Sequence, residues 1–200
     1  MNMHKSRISF FKRALVQLGA AVVLVAAVSS VQTAGAQGAA VPVAVQQAVA
    51  QPRLAGQGQM RFLGLRIYDA RLWVGPQFEA QAFAAYPLAL ELTYHRAFSA
   101  QAIAQRSVQE IQRQRTMDDQ QALRWTSQLA QWLPDVQPGD RLTGQYLPGQ
   151  GMRLWRGDQP LGMLSDPELA RHFFGIWLSA QTSEPRLRSA LLAGLDKGAP

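Results

Sequence analysis

Arginine and tyrosine side chains recur along the part of the sequence whose residue pattern is typical of β-strands. An arginine in a dry cleft binds a carboxylate through two parallel hydrogen bonds, and a nearby tyrosine adds another donor. The sequence offers such groups at Arg61, Arg66, Tyr68, Tyr94 and Arg96. They indicate a site for a small hydrophobic or carboxylate-bearing ligand. The alternative for each arginine is a solvated strand edge, because arginine is mostly exposed in proteins.

Other kinds of chemistry find little support in the sequence. Gly56 and Gly58 lack the third glycine and the following helix that a phosphate-binding loop needs. His95 and His172 have no partner at metal-ligand spacing, so we predict no metal site. The chain has no cysteine and no Gly-x-Ser-x-Gly turn to supply a nucleophile. We therefore predict no catalytic residue and no cofactor.

A hairpin that turns at Gly64 organises the residues around it. An apolar strand through Met60 and Phe62 leads into the turn, and a longer strand, Leu65–Val74, leads out of it. Both faces of this second strand mix apolar with polar residues, as expected for an inner strand. A third strand, Leu88–Tyr94, alternates more regularly.

Helices and further strands follow this hairpin. Ser99 is a suitable N-cap for a helix that ends near Arg115, and Asp118 or Asp119 begins a second helix that Pro134 stops. The later elements that we predict are strands at Arg141–Leu147, Met152–Trp155 and Leu161–Leu164, an apolar helix opened by a capping box from Ser165 to Glu168, and a last helix from Pro185. This order predicts an α+β domain whose antiparallel sheet is covered by helices on one side.

The first 36 residues have the pattern of a secretory signal peptide. Four basic residues precede an apolar run over 14–31, and Ala34–Ala36 supplies the small residues of a cleavage site. We predict cleavage after Ala36 and a periplasmic or secreted protein without a stable membrane anchor. The alternative is an uncleaved anchor, since the apolar run is nearly long enough to span a bilayer. The remaining predicted boundaries are a flexible N-terminal arm over 37–53, a domain over 54–195 and a tail over 196–200.

The charge of the chain argues against nucleic acid as a partner. The formal net charge is +7, but four of the 20 basic residues lie in the predicted signal peptide. The rest of the chain then carries 16 basic and 13 acidic residues, without a run of basic residues. So small an excess does not favour binding to a polyanion.

An ordered set of motifs in the later chain resembles the bacterial exported branch of the chalcone isomerase-like family. The motifs are Tyr68-Asp69-Ala70-x-Leu72, Pro134-Asp135-Val136 with Gly139-Asp140, Phe173-Phe174-x-Ile176-Trp177-Leu178 and Pro185-x-Leu187-Arg188-x-x-Leu191-Leu192. The resemblance implies an open-faced β-sandwich with a ligand cleft between an antiparallel sheet and a helical layer. In plant members this cleft cyclises a chalcone, whereas in fatty-acid-binding relatives it holds a fatty acid whose carboxylate pairs with an arginine.

The catalytic positions of the plant enzymes are mostly not matched here. Met60 stands where the resemblance implies the catalytic arginine, Asp69 and Ile176 stand at the two threonines, and Ile103 stands at the tyrosine. Of the two further positions, Arg106 keeps the cationic character of a lysine, and Glu110 replaces an asparagine. A cyclase without the arginine, tyrosine and threonines would lack its electrostatic stabilisation.

We therefore predict a domain that binds a small apolar or amphipathic ligand without converting it. The predicted ligand-binding residues are Arg61, Arg66, Tyr68, Tyr94 and Arg106 at polar positions, and Trp73, Phe173 and Trp177 in the apolar wall. One alternative is an isomerase or lyase that uses Arg61 as its electrostatic group. Another is an accessory protein whose helical face docks an envelope partner.

Overall fold

The computed structural model describes residues 40–195. These residues belong to a compact unit that begins at Ala39. The predicted signal peptide and the predicted tail lie outside the described residues. Within residues 40–195, no helix has the length and apolar character needed to cross a membrane.

Within residues 40–195, six strands form a single antiparallel sheet in which each strand pairs with its neighbours in chain order. They are β1 (Arg53–Phe62), β2 (Leu65–Val74), β3 (Leu88–Tyr94), β4 (Arg141–Leu147), β5 (Gly151–Arg156) and β6 (Gln159–Leu164). The predicted α+β class and antiparallel sheet are confirmed.

In the described part of the chain, five α-helices and one short 3-10 helix accompany the sheet. They are α1 (Val43–Ala48), the 3-10 helix Ala80–Ala85, α2 (Ala100–Gln114), α3 (Asp119–Trp132), α4 (Pro167–Leu178) and α5 (Pro185–Leu192). Helices α4 and α5 pack on one side of the sheet, which we call the helix-covered face, and α2 packs against both α3 and α4. Helix α1 contacts β3 and β4.

The two sheet faces differ in composition because successive strand residues point in opposite directions. The helix-covered face contributes Ala70, Leu72, Leu90, Leu142 and Leu154 to the main hydrophobic core. The other side, which we call the outer face, carries Trp73 and Ala89 in a separate small cluster with Val45 of α1.

Close approach between α5 and β1 requires two glycines. A Cβ atom on Gly56 would lie 2.2 Å from the carbonyl oxygen of Ala190, and one on Gly58 would lie 2.7 Å from a methyl carbon of Leu187. Any larger residue would therefore push the helix off the strand. The glycine-rich entry to the sheet thus serves packing and lets α5 lie directly on the backbone of β1.

A β-bulge interrupts the pairing of β1 with β2 near their shared turn. Met60 pairs with Tyr68, but Arg61 pairs with Arg66, so Ile67 is the additional residue in β2. Beyond a bulge the alternation of side chains is shifted by one residue. As a result, Arg66 does not share a face with Tyr68, although simple alternation along the strand would place it there.

Two local predictions need correction. Part of the predicted flexible arm is helix α1, where Ala44 and Val45 are fully buried and the Ala44 carbonyl accepts a hydrogen bond from Gln145 Nε2 at 2.5 Å. The N-cap of α4 is Asp166 rather than Ser165, since its carboxylate accepts from the Leu169 amide at 2.9 Å.

Candidate functional site

A cavity of about 300 Å³ lies between the helix-covered face of the sheet and the helices. Its floor includes Leu90 and Leu92 of β3, Leu142 and Gly144 of β4, and Leu154 of β5. These positions are neighbours across the strands, with Leu90 opposite Gly144 and Leu92 opposite Leu142. The apolar floor thus follows from strand alternation and antiparallel register together.

Helix α4 forms the principal apolar wall. Asp166 caps its first turn, and Phe173 and Trp177 are four residues apart, so they lie on the same side of the helix. Their rings meet edge to face with centroids 5.5 Å apart, and both line the cavity. The large apolar content of this helix is therefore used to enclose a space as well as to fill the core.

A tyrosine and a tryptophan meet at the polar part of the cavity. The indole Nε1 of Trp177 donates to the hydroxyl oxygen of Tyr68 at 3.0 Å. This hydrogen bond uses a lone pair of the Tyr68 oxygen and leaves the phenolic proton able to serve another acceptor. Tyr94 packs against Tyr68 with ring centroids 5.9 Å apart. The pair offers a hydroxyl donor inside an otherwise apolar enclosure.

Arg106 and Glu110 form an ion pair on α2 beside this tyrosine. They are one helical turn apart, and Arg106 Nη2 lies 2.5 Å from Glu110 Oε1. The second carboxylate oxygen of Glu110 accepts from the Ser183 hydroxyl at 2.6 Å. Glu110 is only 5% exposed, so its charge depends on these partners for compensation. The loop between α4 and α5 is tied to α2 through the same contact.

Burial dominates the titration of the two cavity tyrosines. Burial raises the pKa of Tyr68 well above its ordinary value, the hydrogen bond from Trp177 opposes this, and the carboxylates of Glu184 and Glu110 add to the rise. Burial likewise raises the pKa of Tyr94, and the neighbouring Tyr68 adds to it. Both phenols are therefore neutral donors at physiological pH.

Five of the predicted ligand-binding residues meet at this cavity. They are Tyr68, Tyr94, Arg106, Phe173 and Trp177. The five come from β2, β3, α2 and α4, which are far apart in the sequence. Their assembly depends on the packing of α2 against α4 and of α4 on β4 and β5.

The two predicted arginines of the hairpin, Arg61 and Arg66, lie outside this cavity. The bulge in β2 turns Arg66 away from Tyr68, and its guanidinium pairs with Asp69 at 3.1 Å. Arg61 is exposed and donates to the Gly64 carbonyl at 3.3 Å.

Trp73 also lies away from the cavity, on the outer face. Its ring packs with Val45 and Ala89, and the Arg71 guanidinium stacks over it at 4.9 Å. Two residues of one strand share a face only when an even number of steps separates them. Trp73 is five residues from Tyr68, so strand parity alone could have placed it opposite.

Several residues that line the cavity were not among the predicted site residues. The most informative are Glu110 and Glu184, whose carboxylates act on Tyr68, and Ser183, which donates to Glu110. The spacing of Arg106 and Glu110, i and i+4 on a helix, is a signal for an ion pair that the sequence did contain. The hydrogen bond from Ser183 to Glu110 depends on how α4 packs against α2, and no local sequence pattern predicts it.

Metal binding finds no support in the described part of the chain. Between residues 40 and 195, no group of three or more histidine, aspartate or glutamate side chains is arranged to hold a metal ion. The cavity offers hydrogen bonds and apolar contact rather than metal ligands.

The sequence model of the chalcone isomerase-like family matches residues 33–193. The protein belongs to this family. A solved structure of a fatty-acid binding protein from Arabidopsis thaliana is similar in fold, with a TM-score of 0.53 over 70% of this chain and 86% of that chain. The two sequences are 14% identical, so the likeness concerns the fold. No curated protein matches the sequence.

Three of the positions at which the family resemblance implies plant catalytic groups are apolar residues of this cavity, and Arg106 and Glu110 are the charged ones. Met60, Ile103 and Ile176 line it and donate no hydrogen bonds from their side chains. Asp69 pairs with Thr93 on the outer face, where its carboxylate accepts one hydrogen bond from Gln59 and lies 2.8 Å from His95 Nε2. The chalcone isomerase-like family is confirmed, whereas its bacterial exported branch and the matching of its catalytic positions to this chain stay predictions.

Proposed function

We propose that this chalcone isomerase-like protein binds a small apolar or amphipathic molecule in its cavity and releases it unchanged. The observation that carries the proposal is an apolar space of about 300 Å³ that ends at a small polar cluster. That volume lies at the lower end of the range for small-molecule pockets, about 300–1,000 Å³. One short or medium acyl chain, or a similarly slender molecule, suits such a space.

The polar cluster gives such a ligand a defined orientation. Because the Tyr68 hydroxyl is free to donate its proton, the ligand group that meets it should be a hydrogen-bond acceptor. Arg106 adds a cation at the same end of the cavity. The apolar part of the molecule would lie over Leu90 and Leu92 and against Phe173. A similar protein from Arabidopsis thaliana is named as a fatty-acid binding protein, which is consistent with this class of ligand.

The surroundings of Arg106 bear on the ligand's head group. Its guanidinium already lies against the Glu110 carboxylate, and Glu184 lines the same cavity. A ligand carboxylate would have to displace Glu110 from Arg106 or accept a second negative charge nearby. A head group with a neutral oxygen, such as an ester or an alcohol, meets the Tyr68 hydroxyl without that cost.

We propose that the ligand is not chemically converted, because the cavity side chains lack the donors that catalysis would need. Acyl or enolate chemistry needs donors aimed at the charge that develops in the transition state. Met60, Ile103 and Ile176 supply none, and Arg106 is engaged by Glu110. The isomerase alternative is tested by mixing a chalcone with the protein. We expect cyclisation no faster than in buffer, and a rate increase that Arg106→Ala abolishes would replace binding with catalysis.

Binding is tested with residues 37–200, which contain the whole described unit. Titration with a fluorescent fatty acid should give saturable uptake that lauric acid displaces, and native mass spectrometry should show one ligand per protein. Arg106→Ala should weaken uptake about tenfold, or about 1.4 kcal/mol. Arg61→Ala is the matched control and should leave uptake unchanged, because Arg61 is outside the cavity. An empty protein that takes up no probe would overturn the proposal.

We also propose that the protein is exported and functions in the periplasm or outside the cell. The support is the basic and apolar pattern of residues 1–36 with small residues at Ala34–Ala36. Cell fractionation followed by sequencing of the mature N-terminus should find Gln37 as the first residue. Retention of the full chain in the membrane fraction would favour an uncleaved anchor instead.

A further inference from the structure

The end of the β1–β2 hairpin exposes a cluster of large apolar side chains. Phe62 is 53% exposed, Leu63 is 85% exposed and Leu65 is 48% exposed. These three residues, together with Gly64 in the turn, make up what we call the hairpin tip. Single exposed apolar residues are ordinary, but neighbouring ones on a projecting turn mark a surface for interaction.

The backbone conformation of Leu63 is unfavourable for a leucine. Its φ angle is +48° and that of Gly64 is +79°, the left-handed conformation of a two-residue hairpin turn. Such turns favour asparagine or aspartate before glycine, because most side chains are strained at positive φ. At 85% exposure, leucine gains almost no burial in return. Neither turn geometry nor core packing therefore accounts for leucine here.

Basic side chains flank the hairpin tip. Arg61 and Arg66 pair across the strands next to the turn, and both are exposed. The amide of His95 bonds to the carbonyl of Ile67, which brings the exposed Arg96 to the same end of the sheet. Asp69 offsets one of these charges through its pair with Arg66. The remaining charge is positive, and it complements an anionic surface.

The apolar surface of the tip continues into the cavity. Met60, Phe62 and Ile67 line the cavity, and Phe62 is at the same time half exposed. The register beyond the bulge pairs Phe62 with Leu65, so the two side chains lie next to each other. The hairpin tip and the cavity lining thus share apolar side chains.

We propose that the hairpin tip docks on an anionic lipid bilayer, with Phe62, Leu63 and Leu65 inserted among the lipids and the flanking arginines on the headgroups. Apolar insertion combined with basic contacts is the usual composition of reversible membrane binding. Three side chains bury little area, so the attachment is weak and reversible. The docking goes beyond ligand binding in the cavity and does not require a bound ligand.

Vesicle flotation with residues 37–200 tests the docking. The protein should float with vesicles of phosphatidylglycerol and phosphatidylethanolamine, and less with phosphatidylcholine alone or at high salt, because screening weakens the arginine contacts. Leu63→Asn should lower the floated fraction at least threefold. The same substitution should keep or raise the unfolding temperature, because Asn-Gly suits the turn. A loss of membrane binding in this variant is therefore not a loss of folding.

Leu123→Asn provides the matched control. Leu123 is 71% exposed on α3, away from the hairpin, and its replacement should leave flotation unchanged. The proposal is overturned if the unaltered protein stays with the soluble fraction at every lipid concentration. It is also overturned if Leu63→Asn floats as well as the unaltered protein, or if both leucine variants lose flotation equally. Uptake of a fluorescent fatty acid from solution, measured on the same variants, reports separately on the cavity.

Discussion

The two faces of the sheet differ in what their buried residues contact, although both are built from alternate residues of the same strands. On the outer face, Glu91 is 2% exposed and lies 3.2 Å from Arg71 and 3.8 Å from Arg141. On the helix-covered face, the neighbours Leu90 and Leu92 border a space that no side chain fills. The outer face thus places arginines beside a buried carboxylate, whereas the helix-covered face leaves part of its apolar surface without a packing partner.

This difference indicates how the strands divide their tasks. A buried ion pair is weak as a source of stability, but the loss of one partner is costly. An unfilled apolar space lowers stability, because the side chains around it lose contacts. We therefore expect substitutions on the outer face to change folding and substitutions on the helix-covered face to change binding. The following predictions test that separation, beginning with the largest effect.

Removing the buried carboxylate of the outer face should have the largest effect. Glu91→Ala would leave Arg71 and Arg141 facing each other without compensation, at a cost of about 3 kcal/mol in the free energy of unfolding. Urea denaturation of residues 37–200 measures this loss. Glu79→Ala, an exposed control, should cost almost nothing. A stable Glu91→Ala protein with impaired ligand uptake would break the division between the faces.

Filling the cavity should remove binding with little loss of stability. Leu92→Trp places a larger side chain in the floor, and we expect uptake of a fluorescent fatty acid to fall at least tenfold. Thr93→Trp is the matched control, since the next residue along β3 points to the outer face. Fluorescence titration compares the two variants. Equal uptake by both would show that the ligand does not occupy this cavity.

The choice of head group should depend on Glu110. At pH 8 the unaltered protein should bind methyl laurate or lauryl alcohol more tightly than lauric acid, because the Glu110 carboxylate occupies Arg106. Glu110→Gln should raise the affinity for lauric acid about fivefold and change that for the alcohol little, a difference of about 1 kcal/mol. Displacement of a fluorescent probe measures all three ligands. Tighter binding of lauric acid by the unaltered protein would contradict the role given to Glu110.

The smallest expected effect is on the pH dependence of stability, to which the two faces contribute with opposite sign. Burial raises the pKa of Asp69, but hydrogen bonds from Gln59, His95 and Arg66 outweigh it and hold the pKa below its usual value of 3.8. Its contribution is therefore present above that value and is lost as the pH falls below it. Asp69→Asn should flatten the decline in unfolding temperature below pH 4 by about 2 °C.

On the helix-covered face the sign is reversed. Burial raises the pKa of Tyr94 above the ordinary 10.0, so the unfolded chain loses this proton first. The stability from the neutral phenol is present below pH 10.0 and is lost as the pH rises further. Tyr94→Phe should reduce the alkaline decline and leave the acid limb unchanged. Thermal unfolding across the pH range checks both variants, and a shared response would contradict separate faces.

Much of the fold follows from local patterns of residues. The predicted bounds Leu65–Val74, Leu88–Tyr94 and Arg141–Leu147 match β2, β3 and β4, because alternation and turn residues mark strands directly. Ser99 caps α2 as predicted, and Asp118, one of the two predicted residues, caps α3, because capping depends on amides only three residues away. Helix α1 was missed because its apolar residues are stabilised by strands far along the chain.

The site could be predicted only in part from the same patterns. Phe173 and Trp177 were expected in an apolar wall because a helix so rich in large apolar residues must lie in a core or line a pocket, and both line the cavity. Arg66 was misplaced because a bulge reverses alternation, and bulges depend on the partner strand. Glu110 was overlooked as a site residue because its importance depends on Ser183, which the later fold brings to it.

Residue order alone thus specified the strands, most helices and an apolar helix suited to enclosing a pocket, since each depends on neighbours within a few positions. The order of motifs along the chain indicated the family. Tertiary structure alone decided that a space remains beneath α4, that Arg106 is already paired with Glu110, and that the hairpin arginines lie outside the cavity. These outcomes depend on strand register and on contacts between distant segments, and no local pattern encodes them.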